Sequence, residues 1–285
     1  MNKTGRIFLQ VGILLGVIGT LVVNLLSAFN FINGIDPGTL SDAIPNLFVP
    51  WGITFLVWNV IYLGLIALTI YSIKSWFKKG AEPPEFLDKF GIEFIIASIA
   101  NIAWIFFWHF QSNPPTVDGP FPVYVSLIAM VVLFGSLLTM YLRLKIGKNK
   151  EATRAEKWFI HIPISIYFGW ISIALAANIT STIVDLGWNS VIAPSLQWEI
   201  NWTIIIIAVA TIITLLMLLL RKDIAYSLVI IWSLTGIMVK RFLTDYYLGI
   251  VLAAGIGIGL IVVLIGITIF RLIKQMKNEK VTATV

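Results

Sequence analysis

The chain has 285 residues, of which 59% are hydrophobic and only 12% are charged. Soluble domains carry roughly 25% charged residues, and disordered chains combine low hydrophobicity with high charge, so this composition excludes both classes. The net charge is +6. In a chain this apolar, we take the positive charge as a sign of membrane topology and expect no nucleic-acid partner. Because the sequence has no cysteine, it excludes disulfides, thiolate metal sites and cysteine nucleophiles.

Apolar runs along the chain predict an all-α, polytopic membrane bundle of about eight transmembrane helices. A spanning helix needs about 20 predominantly apolar residues, and the seventh run is the shortest. We interpret the first run as a retained helix, since it is longer than the 7–15-residue apolar core of a signal peptide. The predicted helices cover 7–29, 51–73, 91–110, 122–142, 158–179, 202–220, 225–239 and 248–270.

The basic residues are distributed unevenly between the two sides of this predicted bundle. If the N-terminus is cytoplasmic, 18 of the 20 lysines and arginines fall in the termini and in the loops on the cytoplasmic side. Only Lys240 and Arg241 fall on the other side. Cytoplasmic loops of membrane proteins carry an excess of lysine and arginine. We therefore predict a multi-pass protein of the plasma membrane with both termini in the cytoplasm.

Ionisable side chains are sparse at the predicted membrane midplane, and this limits the function. The two histidines, His109 and His161, are predicted at opposite ends of two helices, roughly 27 Å apart along the membrane normal. They cannot share a metal, and we predict neither a metal site nor an obligatory cofactor. Proton-coupled carriers and retinal proteins use carboxylates, histidines or a lysine at depth, so both classes are disfavoured.

Aromatic and amide residues recur on one face of each of three predicted helices. On the second helix Thr54, Trp58 and Tyr62 are four residues apart and share a face. Such stripes are compatible with ordinary core packing and interfacial belts, or with a cavity for a planar, mostly apolar ligand. The candidate ligand-binding residues are Trp51, Phe55, Trp58, Tyr62, Asn101, Trp104, Trp108, Tyr167, Trp170 and Asn178.

Three stretches of the chain carry a family resemblance. The second helix has a proline before an aromatic helix with tryptophan and tyrosine four residues apart, and the third helix has Asn-x-x-Trp. The fifth has Trp-x-Ser-x-Ala-x-x-x-Asn, which is the most specific motif. The matching residues are Pro50, Trp58, Tyr62, Asn101, Trp104, Trp170, Ser172, Ala174 and Asn178. On these motifs the sequence resembles the TspO family, also called the translocator or tryptophan-rich sensory protein family.

The resemblance implies a division of the chain and a class of ligand. It covers residues 1–179 as a five-helix bundle and leaves 180–285 as a three-helix extension. The family implies binding of a tetrapyrrole such as porphyrin or haem, or a similar hydrophobic ligand, and a sensory or regulatory role, and we expect no enzymatic activity. It also implies a homodimer, for which Gly-x-x-x-Gly pairs at Gly12 and Gly255 offer close-packing surfaces, although these pairs serve equally well for packing within one chain.

Two other functions stay open on the sequence alone. A transporter of a small neutral or aromatic solute fits the length and topology, but we find no repeat between the two halves and no pair of broken helices. An intramembrane enzyme needs an activated nucleophile or base at depth. Thr54, Tyr62 and Ser172 have no acidic or basic partner in the sequence pattern, so an enzyme is the least favoured function.

Overall fold

A computed structural model describes residues 1–44, 46–112, 119–187 and 195–282 of the chain. The prediction of an all-α membrane bundle is confirmed, since eight of the helices in the described ranges are long and apolar enough to cross a membrane. The remaining helix, α2, is short. The helices are α1 (Lys3–Ala28), α2 (Pro37–Ala43), α3 (Gly52–Ser72), α4 (Gly91–His109), α5 (Val123–Arg143), α6 (Arg154–Asp185), α7 (Leu196–Arg221), α8 (Ile224–Leu243) and α9 (Leu248–Thr282).

The first turns of α3 are 3₁₀-helical rather than α-helical, which corrects the predicted start of the second span. The 3₁₀ segment runs over Gly52–Leu56, and the α-helical part is Val57–Ser72. Trp51 directly precedes this segment, and its N–H donates to the carbonyl of Gly236 on α8 at 3.0 Å. Because a 3₁₀ turn holds three residues instead of 3.6, it changes which side chains share a face.

Helix α6 begins before the predicted start at residue 158 and contains a wider turn. Thr153 and Glu156 form a capping box, which satisfies free N–H groups at the helix start. A π-helical turn follows at Lys157–His161, directly before the segment that holds Pro163. Proline lacks the N–H of a regular helix and clashes with the preceding turn, and the wider π turn relieves that conflict.

Helix α8 is longer than the run predicted over 225–239. It continues to Leu243, so Lys240 and Arg241 lie in its last turn. The Lys240 ammonium pairs with the carboxylate of Asp42. The Arg241 guanidinium lies 3.7 Å from the carboxylate of Asp245. The two basic residues that depart from the charge partition are thus paired with acidic groups.

The first five long helices form one packed group, and the last three join it through α8. Helix α4 packs between α1 and α5, α6 follows α5, and α3 contacts α1 and α6. Helices α7, α8 and α9 pack against one another, while α8 also packs on α6 and on the start of α3. At Gly12 an added Cβ would lie 2.4 Å from Ile95 on α4, so this glycine serves packing within the chain. The homodimer stays a prediction.

Contacts between loops define two ends of the bundle. At the end that we call the basic end, the N-terminal ammonium pairs with Asp88 at 2.9 Å, and Lys222 donates to Gln275 at 3.3 Å. At the opposite end, which we call the loop end, Asn33 donates to the carbonyl of His109 at 2.6 Å. The N-terminus and the segment of α9 around Gln275 therefore lie toward the basic end.

Candidate functional site

A cluster of aromatic rings lies between α3, α4 and α6 in the half of the bundle toward the loop end. Trp58 is at its centre. The Trp58 ring stacks on those of Tyr62 and Trp104, with centroids 5.6 and 6.5 Å apart, and meets Tyr167 and Trp170 edge-on at 6.0 and 6.1 Å. Each such pair contributes roughly 0.5–1.5 kcal/mol beyond its area burial. The cluster brings together predicted residues from all three helices.

The cluster extends along α4 and to the 3₁₀ turn of α3. Trp108 stacks on Trp104 at 6.0 Å, and Phe55 meets Trp170 edge-on at 5.7 Å. Trp51 lies apart from this cluster, with 46% of its surface exposed. It precedes the 3₁₀ turn, and so the four-residue spacing from Trp51 to Phe55 does not place the two on one face.

The rings enclose a cavity of about 40 Å³, which we call the aromatic cavity. Six of the ten predicted residues line it, and the other four, Trp51, Tyr62, Asn101 and Tyr167, lie outside its wall. The predicted set lacks the lining residues from the segment between α1 and α3 and four more on α6, of which three recur every four residues. The lining residues are Pro37, Ser41, Pro50, Phe55, Trp58, Trp104, Trp108, Trp170, Ile173, Ala174, Ala177, Asn178 and Ser181.

Two indole N–H groups in this wall have no hydrogen-bond acceptor among the described residues. They are the Nε1 atoms of Trp104 and Trp170, whose residues are only 6% and 3% exposed. A buried N–H without an acceptor costs about 1–3 kcal/mol, and membrane interiors offer no water to satisfy it. The cavity wall therefore presents two donors suited to an acceptor on a bound molecule.

Three side-chain hydrogen bonds fix the helices around the cavity. Asn24 on α1 donates to the side-chain oxygen of Asn101 at 2.7 Å, and the Asn101 amide donates to the Tyr167 hydroxyl at 3.1 Å. This buried chain ties α1, α4 and α6 together behind Trp58. On the other side, the Ser126 hydroxyl donates to Asn178 at 3.2 Å. Asn101 and Tyr167 thus position the cluster without lining its cavity.

Helix α2 covers the cavity at the loop end through Pro37 and Ser41. Asp36 caps this helix by accepting from the N–H groups of Gly38 and Thr39 at 2.9 and 3.0 Å. Burial alone raises the pKa of Asp36, but the hydrogen bonds from the Thr39 hydroxyl and from these backbone groups outweigh it and lower the pKa below its ordinary value. The Lys240–Asp42 ion pair ties the same helix to α8.

The histidines hold separate positions, and no metal-binding group of histidine, aspartate and glutamate is found within the described ranges. His109 lies at the loop end, where its Nε2 is 3.0 Å from the Ser27 hydroxyl and its Nδ1 is 2.8 Å from the carbonyl of Ile105. His161 lies in the π turn near the basic end. Both ring nitrogens of His109 thus face protein partners.

Comparison with known proteins identifies the family of this bundle. A sequence profile described as TSPO-like protein matches residues 10–267. The match covers both the five-helix group and most of the three helices that follow. No curated protein and no solved structure matches the chain significantly. Together with the eight membrane-spanning helices, the match shows that the chain is an integral membrane protein of the TSPO-like family.

Proposed function

We propose that this protein binds a planar, mostly apolar ligand, such as a porphyrin, haem or a similar molecule, in the aromatic cavity, and that binding serves a sensory or regulatory role rather than catalysis. Family membership and the cluster of stacked rings around Trp58 support this function. Ring faces at stacking distance from one another can accept a flat ligand between them or at their edge.

The observation that carries the proposal is the pair of unpartnered indole donors, Trp104 Nε1 and Trp170 Nε1. A purely structural aromatic core gains nothing from two buried donors without acceptors, since each one costs free energy. Carbonyl or carboxylate oxygens on a ligand bound in the cavity would satisfy these donors. Tetrapyrroles with propionate groups combine such acceptors with a flat apolar ring.

The aromatic cavity must widen before it can hold the proposed ligand. A cavity of about 40 Å³ holds at most a few water molecules and cannot hold a tetrapyrrole. Pro37, Ser41 and Pro50 form the part of its wall that is not built from membrane-spanning helices. We therefore propose that α2 swings away from the rings on binding, which breaks the Lys240–Asp42 ion pair.

Substitution of the indoles by phenylalanine tests the proposal, because it keeps a ring and removes the N–H. Each hydrogen bond contributes about 0.5–1.5 kcal/mol net, so we expect Trp104→Phe and Trp170→Phe each to weaken protoporphyrin binding about 2- to 10-fold. Trp232→Phe is the matched control: its Nε1 donates to the carbonyl of Thr54 at 2.8 Å, and it does not line the cavity. Equal weakening by all three, or no fluorescence quenching at tens of micromolar porphyrin, refutes the assignment.

We further propose that the basic end faces the cytoplasm, so that both termini are cytoplasmic in a plasma-membrane protein. The partition of 18 of 20 basic residues supports this orientation. A fusion of green fluorescent protein to the C-terminus should fluoresce, since it folds in the cytoplasm, while a phosphatase that needs an oxidising compartment should be inactive at the same site. The reverse pair of results contradicts the orientation.

A further inference from the structure

A second and much larger hollow, of about 860 Å³, lies between α3, α6, α8 and α9. We call it the basic cleft. Most of its lining residues are apolar, and the wall residues Leu56, Val60 and Leu228 are each more than half exposed, so the cleft is open along α3 and α8. The apolar wall is formed by Leu56, Val57, Val60, Ile162, Ile166, Ile224, Ala225, Leu228, Val229, Trp232 and Leu272.

The length of the cleft corresponds to one leaflet of a bilayer. Along α8 its lining runs from Ile224 to Trp232, which is about 12 Å at 1.5 Å per residue. One leaflet contributes about half of a hydrocarbon core roughly 30 Å thick. Along α8 the cleft thus begins at the basic end and is about as deep as the chain region of one leaflet, while on α3 it reaches Leu56 in the first turns of that helix.

Cationic side chains stand at the mouth of the cleft. Lys157, Arg221 and Lys222 line it, and among the described side chains none of the three pairs with a carboxylate within 4 Å. Arg221 uses one guanidinium nitrogen to donate to the carbonyl of Ile146 at 3.1 Å. The loop at Ile146 thereby holds the guanidinium in place and leaves its other donors for an anion.

The one carboxylate in the lining, Asp223, is occupied by neutral donors. Its Oδ2 accepts from the hydroxyls of Tyr141 and Ser165 at 2.8 and 2.7 Å, and its Oδ1 accepts from the N–H of Tyr226 at 3.0 Å. The residue is 6% exposed, and its role is to cap α8 and join it to α5 and α6. The mouth therefore keeps an excess of positive charge over apolar walls.

We propose that the basic cleft binds one anionic glycerophospholipid of the leaflet at the basic end. One acyl chain lies between α3 and α8 and reaches Trp232, and the phosphate lies against Lys157, Arg221 and Lys222. Basic pockets between transmembrane helices bind anionic lipid headgroups, and here an apolar channel of one-leaflet length continues from the basic mouth. This site is separate from the aromatic cavity and does not depend on the function proposed for it.

Lipid retention in native mass spectrometry tests the proposal. The protein is released from nanodiscs that contain equal amounts of dioleoyl phosphatidylglycerol and dioleoyl phosphatidylcholine. We expect one phosphatidylglycerol to stay bound in preference to phosphatidylcholine. The double variant Lys157→Gln/Lys222→Gln should reduce this preference by roughly thirtyfold, because each basic group near a membrane surface contributes about 1 kcal/mol.

The control is a charge-matched variant of the same end, Lys78→Gln/Lys79→Gln. Both lysines are exposed and neither lines the cleft, so the preference for phosphatidylglycerol should stay as in the unaltered chain. Equal losses in the two double variants would mean a diffuse charge effect and would overturn the site. Equal retention of the two lipids by the unaltered chain, or an unchanged preference in Lys157→Gln/Lys222→Gln, overturns it as well.

Discussion

The aromatic cavity, at about 40 Å³, and the basic cleft, at about 860 Å³, share two helices: they use different faces of α3 and successive stretches of α6. On α3 the cavity takes Phe55 and Trp58, while the cleft takes Val57 and Val60. The cavity is walled by indole rings with unpaired donors. The cleft is walled by aliphatic side chains with cations at its mouth. The first suits a flat ligand with acceptors, and the second suits a chain with an anionic head.

The different sizes follow from how the helices meet. Large stacked rings fill the space between α3, α4 and α6 and leave only the small aromatic cavity. Helix α8, in contrast, contacts α3 and α6 closely at two glycines and leaves an open gap beside these contacts. At Gly236 an added Cβ would lie 2.0 Å from the Thr54 hydroxyl, and at Gly169 it would lie 3.1 Å from the carbonyl of Tyr226. The basic cleft is the gap beside these two contacts. Helices α7–α9 thus bring a second hollow to the five-helix group.

The largest effect should come from Trp58→Ala, because Trp58 contacts four other rings of the cavity cluster. We expect protoporphyrin affinity to fall by more than tenfold and the free energy of unfolding to fall by about 3 kcal/mol. Lipid preference in the basic cleft should change little. Titration and thermal unfolding in detergent measure the first two quantities. Trp158→Ala, an indole at the basic end that is 62% exposed, serves as the control and should leave all three unchanged.

The cluster around Trp58 could be predicted because its members follow regular α-helical spacing. Trp104 and Trp108 are four residues apart on α4, as are Trp170 and Ala174 on α6, and each pair lines the cavity. Trp51 could not be placed in this way, since the 3₁₀ turn at Gly52–Leu56 changes the angle between successive side chains. A local departure from α-helical geometry therefore limited the prediction.

The basic cleft could not be predicted because its parts come from distant stretches of the chain. Asp223 stands directly before a helix, which is a recognisable N-cap signal, but nothing in its neighbourhood points to Tyr141 or Ser165. The short helix α2 did carry a local signal, an aspartate followed by proline, in the stretch between the first two predicted helices. Whether a segment is helical, and which aromatic residues share its face, can be recognised from the local sequence. A hollow between α3, α6, α8 and α9 depends on how the helices pack.

Filling each hollow separately should affect porphyrin binding and lipid binding independently of each other. Ala174 lines the cavity and Ala225 lines the cleft, so Ala174→Phe should reduce protoporphyrin affinity at least tenfold and spare the preference for phosphatidylglycerol. Ala225→Phe should do the reverse. Overpacking costs typically 1–3 kcal/mol, so both variants are compared at temperatures well below their unfolding midpoints. If either variant impairs both kinds of binding at equal stability, the two hollows are not independent.

The smallest effect should come from Asp36→Ala, which removes the cap of α2 over the cavity. Losing a cap of this kind costs about 1 kcal/mol, so the open position of α2 should be about fivefold more populated and porphyrin association correspondingly faster. Because the pKa of Asp36 is lowered, the ionised cap is fully present above the ordinary aspartate pKa of about 3.9 and is lost as the pH falls through the lowered value. Stopped-flow quenching at pH 7 measures the rate. Asp245→Ala, which removes an acidic group at the same end that pairs with Arg241, should leave the rate unchanged, and an equal acceleration by both would refute the role of α2 as the cover of the cavity.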